Sequence, residues 1–383
     1  MKIVYVYPQF AIPAGTERVL IDKMNYLAGK DYDVLMLTNE QGKRPIVFPI
    51  SHNIRHVDIN VQYSELYKVN IFIRFVKKML LYNVYSKRYN KVLREYEPDI
   101  VVSSTYFDYI ISAVAKCKLS YTRILESHID KRFIYCGDER NRKTFWGKFR
   151  SSLMKFIVSR KAKSFDYLIT LNQEDSVDWS KYVNTIVITN VVHLNSTGQY
   201  SDQTQKRVIF VGRYTEQKGI FDLFKIWQLV HARYPDWSLD LYGDGMLKDK
   251  IKSEADALNI NIFVYLAETN IFPKYINSSI FVLTSYYEPF GLVIPEAMSC
   301  GLPVVSFDCP YGPRKIIKDN LDGYLIKNRD IQLFANKVCK LIESRELRIK
   351  MGMAGILSSK RFSVDAIMPQ WESLFHKIAE SGK

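Results

Sequence analysis

The sequence predicts an α/β protein of two domains, each a parallel sheet with crossover helices. Short β-rich runs alternate with helix-period stretches through both halves of the chain. A polar stretch without apolar pattern, LNSTGQYSDQTQK at 194–206, stands between the halves and reads as a linker. The length, 383 residues, is long for one core and comfortable for two.

The elements follow in order. In the first half KIVYVYP (2–8), YDVLMLT (32–38), DIVVSS (99–104), RILESH (123–128), YLITLN (167–172) and TIVITN (185–190) read as strands. In the second half RVIFVGR (207–213) is a strand and GIFDLFKIWQLVHARY (219–234) a helix. SLDLYGDG (238–245) is the next strand, followed by the helix MLKDKIKSEADAL (246–258) and the strands IFVYL, IFVLTS and PVVSF. The last segment, VDAIMPQWESLFHKIA, is amphipathic, and Pro369 is expected to break or kink it. The domains are thus set at 1–195 and 206–364, with 365–383 as a C-terminal helix.

Bulk properties exclude several classes. The apolar fraction of 47% is ordinary for a globular protein, and no apolar run approaches the roughly 18–20 residues of a membrane span. The N-terminus reads as a buried strand, not a signal peptide. Five cysteines (Cys117, Cys136, Cys300, Cys309, Cys339) lack metal-like spacing and read as reduced thiols of a cytoplasmic protein. The sequons at 195–197 and 277–279 matter only in a secreted chain. Asp31-Tyr32-Asp33 spells DxD, a metal-holding pattern in some sugar transferases, but sits before VLMLT as turn chemistry.

The net charge of +14 is uneven, +11 over residues 1–200 and +3 over the rest. Lys68 to Arg94 holds eight basic residues and no acid; Arg140 to Lys163 holds nine and no acid. In the second run Phe145, Trp146, Phe149, Leu153, Phe156 and Ile157 recur at helical spacing. That is the pattern of a helix lying on an anionic membrane surface, although an ordinary helix burying its apolar face shares it. RNA binding has no accompanying motif, and no nucleic-acid partner is expected.

The candidate site residues lie at strand ends. EPFGLVIPE (288–296) follows IFVLTS and opens a helix-like segment, so backbone amides near Gly291 and Leu292 face an anion between Glu288 and Glu296. VGRYTEQKG (211–219) places Arg213 at a strand end and Lys218 at a helix start; two such cations suit a diphosphate, or are two solvated charges. PAGTER places Gly15 at another strand-to-helix turn, with Thr16 as an N-cap. In YGDG, Asp244 either meets a ligand or caps the next helix. His128 ends a strand, where an imidazole can hydrogen-bond a sugar hydroxyl or serve the core, with Glu126 and Ser127 orienting it. CPYGPRKII (309–317) is a rigid turn whose Gly312 either packs by the phosphate loops or simply connects.

With these residues in view, the chain resembles the family-four retaining glycosyltransferases of GT-B fold over nearly its whole length, most strongly at 207–326. EPFGLVIPE resembles the family's E-x7-E motif, FVGRYTEQKG its arginine-lysine phosphate clamp, and PAGTER its N-terminal glycine loop. The family commonly has Gly-Gly where this chain has Ala14-Gly15, and many relatives have an acid where Lys315 follows the Gly-Pro turn. The resemblance implies two Rossmann-like domains facing a cleft, the last helix crossing back to the N-terminal domain, and no metal or cofactor beyond the donor substrate. By that implication Glu296 binds ribose hydroxyls, Glu288 the transferred sugar, and Arg213 and Lys218 the departing diphosphate with the amides at Gly291 and Leu292. His128 then contacts the sugar and Gly15 closes over the phosphates.

The expected activity is transfer of a sugar from a UDP-sugar, with retention, to a lipid-linked or saccharide acceptor, at the cytoplasmic face of the membrane in bacterial polysaccharide assembly. The alternatives are a soluble GT-B enzyme acting on a free sugar or glucan, and a basic membrane- or nucleic-acid-binding module on the same fold.

Overall fold

The computed structural model describes residues 1–68, 70–129, 131 and 144–381. Cys136 and the start of the second basic run, residues 140–143, lie outside them. The chain divides into two compact units, Met1–Val191 with Ile367–Lys383, and Val192–Ala366.

In the first unit the strands are β1 (Lys2–Val6), β2 (Asp33–Thr38), β3 (Arg55–Asp58), β4 (Ile100–Ser104), β5 (Thr122–Glu126), β6 (Tyr167–Thr170) and β7 (Asn184–Val187). They form one parallel sheet in the order β3-β2-β1-β4-β5-β6-β7. Val4, Leu35, Val101, Leu125 and Leu168 fill its core. β3 is absent from the strands expected above. Its RHVD lies at the sheet edge with no residue buried, so no apolar run marks it.

In the second unit the strands are β8 (Arg207–Val211), β9 (Ser238–Tyr242), β10 (Ile262–Tyr265), β11 (Ile280–Leu283), β12 (Val304–Phe307) and β13 (Gly323–Ile326). They form a parallel sheet in the order β10-β9-β8-β11-β12-β13. Strand order reverses between β8 and β11, which register through Ile280 with Val208 and Phe281 with Ile209. Open α/β sheets bind ligands beyond the carboxyl ends of strands at such a reversal.

Three local expectations are corrected. Pro369 does not break the last helix, which runs Val364–Glu380 through it; lying early in the helix, it costs a single ladder hydrogen bond. Thr16 is not an N-cap: the helix Gly15–Ala28 is capped at Ala14 without a side-chain hydrogen bond. Residues 194–206 are fastened to the second unit rather than loose. Ser201 N–H donates to Cys300 O at 2.9 Å, and Arg348 Nη2 donates to Gln203 O at 2.8 Å.

The two basic runs are helices, Ile71–Tyr96 and Phe145–Ala162. Each buries only part of its apolar surface. Tyr85, Tyr89, Leu93, Val158 and Ala162 are in the core, whereas Phe75, Met79, Leu80, Phe145, Phe149 and Phe156 are all more than half exposed. Both helices are tied to Asp108, at the start of the helix Asp108–Lys116, through Lys78 and Lys161.

Candidate active site

In the second unit, the loop after β8 and the loop after β11 meet at the strand-order reversal. Lys218 ends a single 3-10 turn (Glu216–Lys218), and Gly219 follows at φ 63°, a conformation that favours glycine. A Cβ on Gly219 would lie 2.2 Å from Thr284 O, so glycine lets the turn sit directly on the β11 loop. Thr284 Oγ1 in turn donates to Lys218 O at 3.0 Å.

Those contacts aim the Lys218 ammonium at Glu288. Nζ lies 2.5 Å from Glu288 Oε1, and Ser285 Oγ donates to the same oxygen at 2.6 Å. Both partners are buried, Lys218 at 9% and Glu288 at 4% exposure. A buried carboxylate without a cation would carry a heavy desolvation cost, so each charge is held by the other.

The turn at 309–317 supports this pair from behind. Gly312 N–H donates to Glu288 O at 2.9 Å, and a Cβ on Gly312 would fall 1.8 Å from Phe290 O. Of the two readings left open for Gly312, packing by the Glu288 loop is the one observed. Burial, with Glu288 close by, pushes the Cys309 thiol up to about 12, so this cysteine is inert.

The remaining residues of this unit surround the pair. Gly291, at φ 93°, lies with its Cβ position 3.7 Å from Glu288 Cβ, and Leu292 caps the short helix Val293–Ser299. Glu296 sits on that helix, half-buried, with Tyr275 Oη donating to it at 3.4 Å. Arg213 is exposed, and its guanidinium makes no hydrogen bond or ion pair among the described residues. Asp244 does not cap a helix. Its Oδ1 accepts from Gly245 N–H at 2.8 Å, bracing the turn, and the next helix starts at Lys248.

A residue of this site that the sequence did not single out is Arg329. It is half-buried, in a left-handed conformation at φ 52°. Its guanidinium stacks over Tyr286 and Phe307, pairs with Asp222 at 2.7 Å, and donates to Thr284 O and Ser285 O at 3.0 Å. It thereby holds the loop that carries Glu288. Nothing local in IKNRD announces that role.

In the first unit, Gly15 is exposed at the start of its helix. His128 is buried beyond β5, with Tyr106 stacked parallel to its ring at 6.3 Å between centroids. Glu126 Oε2 lies 3.0 Å from His128 Nε2, and Lys23 Nζ lies 2.6 and 2.5 Å from the two Glu126 oxygens. Burial raises the Glu126 carboxyl, but Lys23 and His128 outweigh it and hold the group at about 2. Lys23 was invisible in the sequence as a site residue. It is a lysine on the buried face of the helix Gly15–Ala28. Asp33, of the DxD tripeptide, is committed to Arg55 at 2.7 Å and Tyr96 at 2.9 Å, and Asp31 takes a left-handed turn conformation.

Parallel sheets in both units, with a cation–carboxylate pair at the strand-order reversal of the second, define the class: an open α/β protein of the kind that binds ligands at its strand-end loops. Comparison with known proteins narrows it. Residues 196–357 match the family model for glycosyl transferases group 1. The chain is 27% identical to an uncharacterized glycosyltransferase of Haemophilus influenzae, covering 97% of this chain and 99% of that one. It is 26% identical to the amylovoran biosynthesis glycosyltransferase AmsD of Erwinia amylovora, covering 98% and 99%. A crystal structure of a Staphylococcus aureus TarM variant, in complex with Fondaparinux, alpha-GlcNAc-glycerol and UDP, superposes with a TM-score of 0.76. It covers 98% of this chain and 99% of that one at 16% identity. The fold is that of the GT-B glycosyltransferases, two Rossmann-like α/β domains. The chain is thus similar to the group 1 glycosyl transferases over most of its second unit.

Proposed function

We propose that the protein is a retaining, metal-independent glycosyltransferase that moves a sugar from a UDP-sugar to a lipid-linked saccharide in bacterial polysaccharide assembly. The observation that carries the donor half is the Lys218–Glu288 pair at the β8/β11 reversal, with the unpaired Arg213 guanidinium on the same loop. Two cations at a sheet's carboxyl edge match a diphosphate, and TarM, of like fold, was crystallised with UDP. AmsD is named for amylovoran biosynthesis.

In this reading Arg213 and Lys218 stabilise the departing diphosphate, helped by the amides at Gly291 and Leu292. Glu288 accepts from a hydroxyl of the transferred sugar and Glu296 from the ribose. The family resemblance further assigns His128 a sugar contact and Gly15 a phosphate contact. The rate gain comes from charge stabilisation and positioning.

The acceptor half rests on the exposed apolar faces at Phe75, Met79, Leu80, Phe145, Phe149 and Phe156, on helices otherwise rich in Lys and Arg. Such faces lie in a headgroup region with the cations toward anionic lipid. No helix of the described residues is long and apolar enough to cross a membrane. The proposed location is peripheral, on the cytoplasmic face of the membrane.

The deciding experiment assays transfer and donor hydrolysis from a panel of UDP-sugars with wild type, Glu288→Gln and Arg213→Ala. Wild-type turnover with both variants strongly impaired supports the reading; full activity in both variants overturns it.

A further inference from the structure

The two oxygens of the buried Glu288 carboxylate are unequally committed. Oε1 accepts from both Lys218 Nζ at 2.5 Å and Ser285 Oγ at 2.6 Å. Oε2 accepts no hydrogen bond among the described residues. Each oxygen of an ionised carboxylate is an acceptor, so Oε2 is the one left for a ligand hydroxyl.

Ser285 is itself held at its carbonyl. Arg329 Nη1 donates to Ser285 O at 3.0 Å, while Nη2 donates to Thr284 O at 3.0 Å and pairs with Asp222 at 2.7 Å. The guanidinium fills the space over Gly219, where a Cβ would come within 3.0 Å of Nη2. Asp222 Oδ2 also accepts from Tyr286 Oη at 3.1 Å, so Asp222 and Arg329 together hold Thr284, Ser285 and Tyr286. Burial raises the Asp222 carboxyl, but hydrogen bonds from Arg329 and Tyr286 outweigh it and hold the group below its ordinary value.

Arg329 does this from a backbone at φ 52°, directly after Asn328 at φ 54°. Asparagine tolerates the left-handed region, whereas an arginine there is strained. Such strain persists where the surroundings fix the residue, and it gathers at functional sites.

We infer that Arg329 is a positioning residue which, through Ser285, fixes the Glu288 carboxylate with Oε1 on Lys218 and Oε2 left to accept from a hydroxyl of the transferred sugar. The role deepens the proposed donor site and rests on that reading for the hydroxyl. Without Arg329 the carboxylate is still present and charged but loses its aim, so turnover suffers more than donor affinity. The loop keeps other ties: Tyr286 N–H donates to Gln217 O at 2.8 Å, and Gln217 Nε2 donates to Tyr287 O at 2.9 Å. Asp222 keeps Tyr286, and Lys225 at 3.5 Å.

The test combines kinetics with amide hydrogen exchange on the full-length protein. With a donor UDP-sugar, Arg329→Met is expected to lower kcat tenfold or more while KM changes less than threefold. Arg329→Lys restores part of the loss. Ser285→Ala lowers kcat similarly, and the double variant falls no more than about threefold below the worse single one, because both act on one carboxylate. Exchange in the segment 284–292 rises in Arg329→Met, and exchange in β9 does not.

Wild-type kcat in Arg329→Met overturns the inference, as does a double variant whose losses multiply. Unchanged exchange at 284–292 overturns it too. A rise spread equally over the second unit marks a purely structural residue and counts against it as well. If the wild type transfers sugar from no UDP-sugar, the transferase reading fails, and the exchange result alone decides whether Arg329 fixes this loop.

Discussion

Lys218 Nζ sits 2.5 Å from Glu288 Oε1 although the residues are 70 positions apart, because the loops after β8 and β11 adjoin where the strand order reverses. The cation proposed to meet the diphosphate is thus paired with a carboxylate of the same site. A diphosphate that engages Lys218 must share it with Glu288, which ties donor binding to the carboxylate proposed to meet the sugar.

Glu288→Gln separates the two roles. It frees Lys218 from its counter-charge, so UDP alone is expected to bind several-fold tighter, about 0.7–1.4 kcal/mol. Sugar transfer is expected to fall on the order of 100-fold or more, as when a group acting in the transition state is removed. Calorimetry of UDP binding beside turnover measures both; weaker UDP binding in the variant would sink the shared-cation account.

Lys218→Met should instead destabilise the fold. It leaves Glu288 buried with only the Ser285 hydroxyl, and breaking a buried pair from one side costs about 3–5 kcal/mol. Thermal unfolding of the second unit's transition reports it. Lys218→Met with Glu288→Gln is expected to recover much of the loss.

Gly312→Ala tests the support behind the pair. The added Cβ would meet Phe290 O at 1.8 Å, so the 309–317 turn must move off the Glu288 loop. Overpacking of this kind costs about 1–3 kcal/mol. A lower melting temperature with weakened turnover is expected, and an unchanged melting temperature would show that the turn gives way freely.

The first unit should lose stability in acid through Glu126. Its folded carboxyl is held at about 2, below the ordinary 4.5. A depressed folded value means stability present above pH 4.5 and lost progressively as pH falls toward 2. Equilibrium unfolding against pH should show a steeper acid loss in wild type than in Glu126→Gln.

The exposed helical faces predict membrane binding by a lipid-sensitive route. Replacing Phe75, Phe149 and Phe156 by serine should cut flotation with anionic vesicles tenfold or more, about 1.4 kcal/mol, and leave transfer to a soluble acceptor intact. Binding by wild type should weaken with salt. Equal flotation of wild type and variant would remove these helices from the acceptor proposal.

How far the chain could be read depended on where each signal is stored. β1, β2, β4 and β8 are buried runs of Val, Ile and Leu, so composition reveals them. The edge strand β3 is polar and exposed and left no such trace. Glu288, Arg213 and Lys218 stood out because they lie in strand-to-helix turns that carry glycines. Thr16 misled, because an uncapped N-terminus is tolerated once packing holds the helix, and at Pro369 the helix runs on without a break.

By itself, then, the sequence determined the two parallel-sheet domains and the strand-end motifs, since periodicity and turn residues are local properties of the chain. Only the tertiary structure decided that Lys218 is paired with Glu288, that Arg329 braces their loop, and that Lys23 reaches Glu126 beneath His128. Those partners lie tens of positions apart, and what joins them is the cost of burying a charge without a counter-charge. That cost can be read only where the chain has brought the charges together.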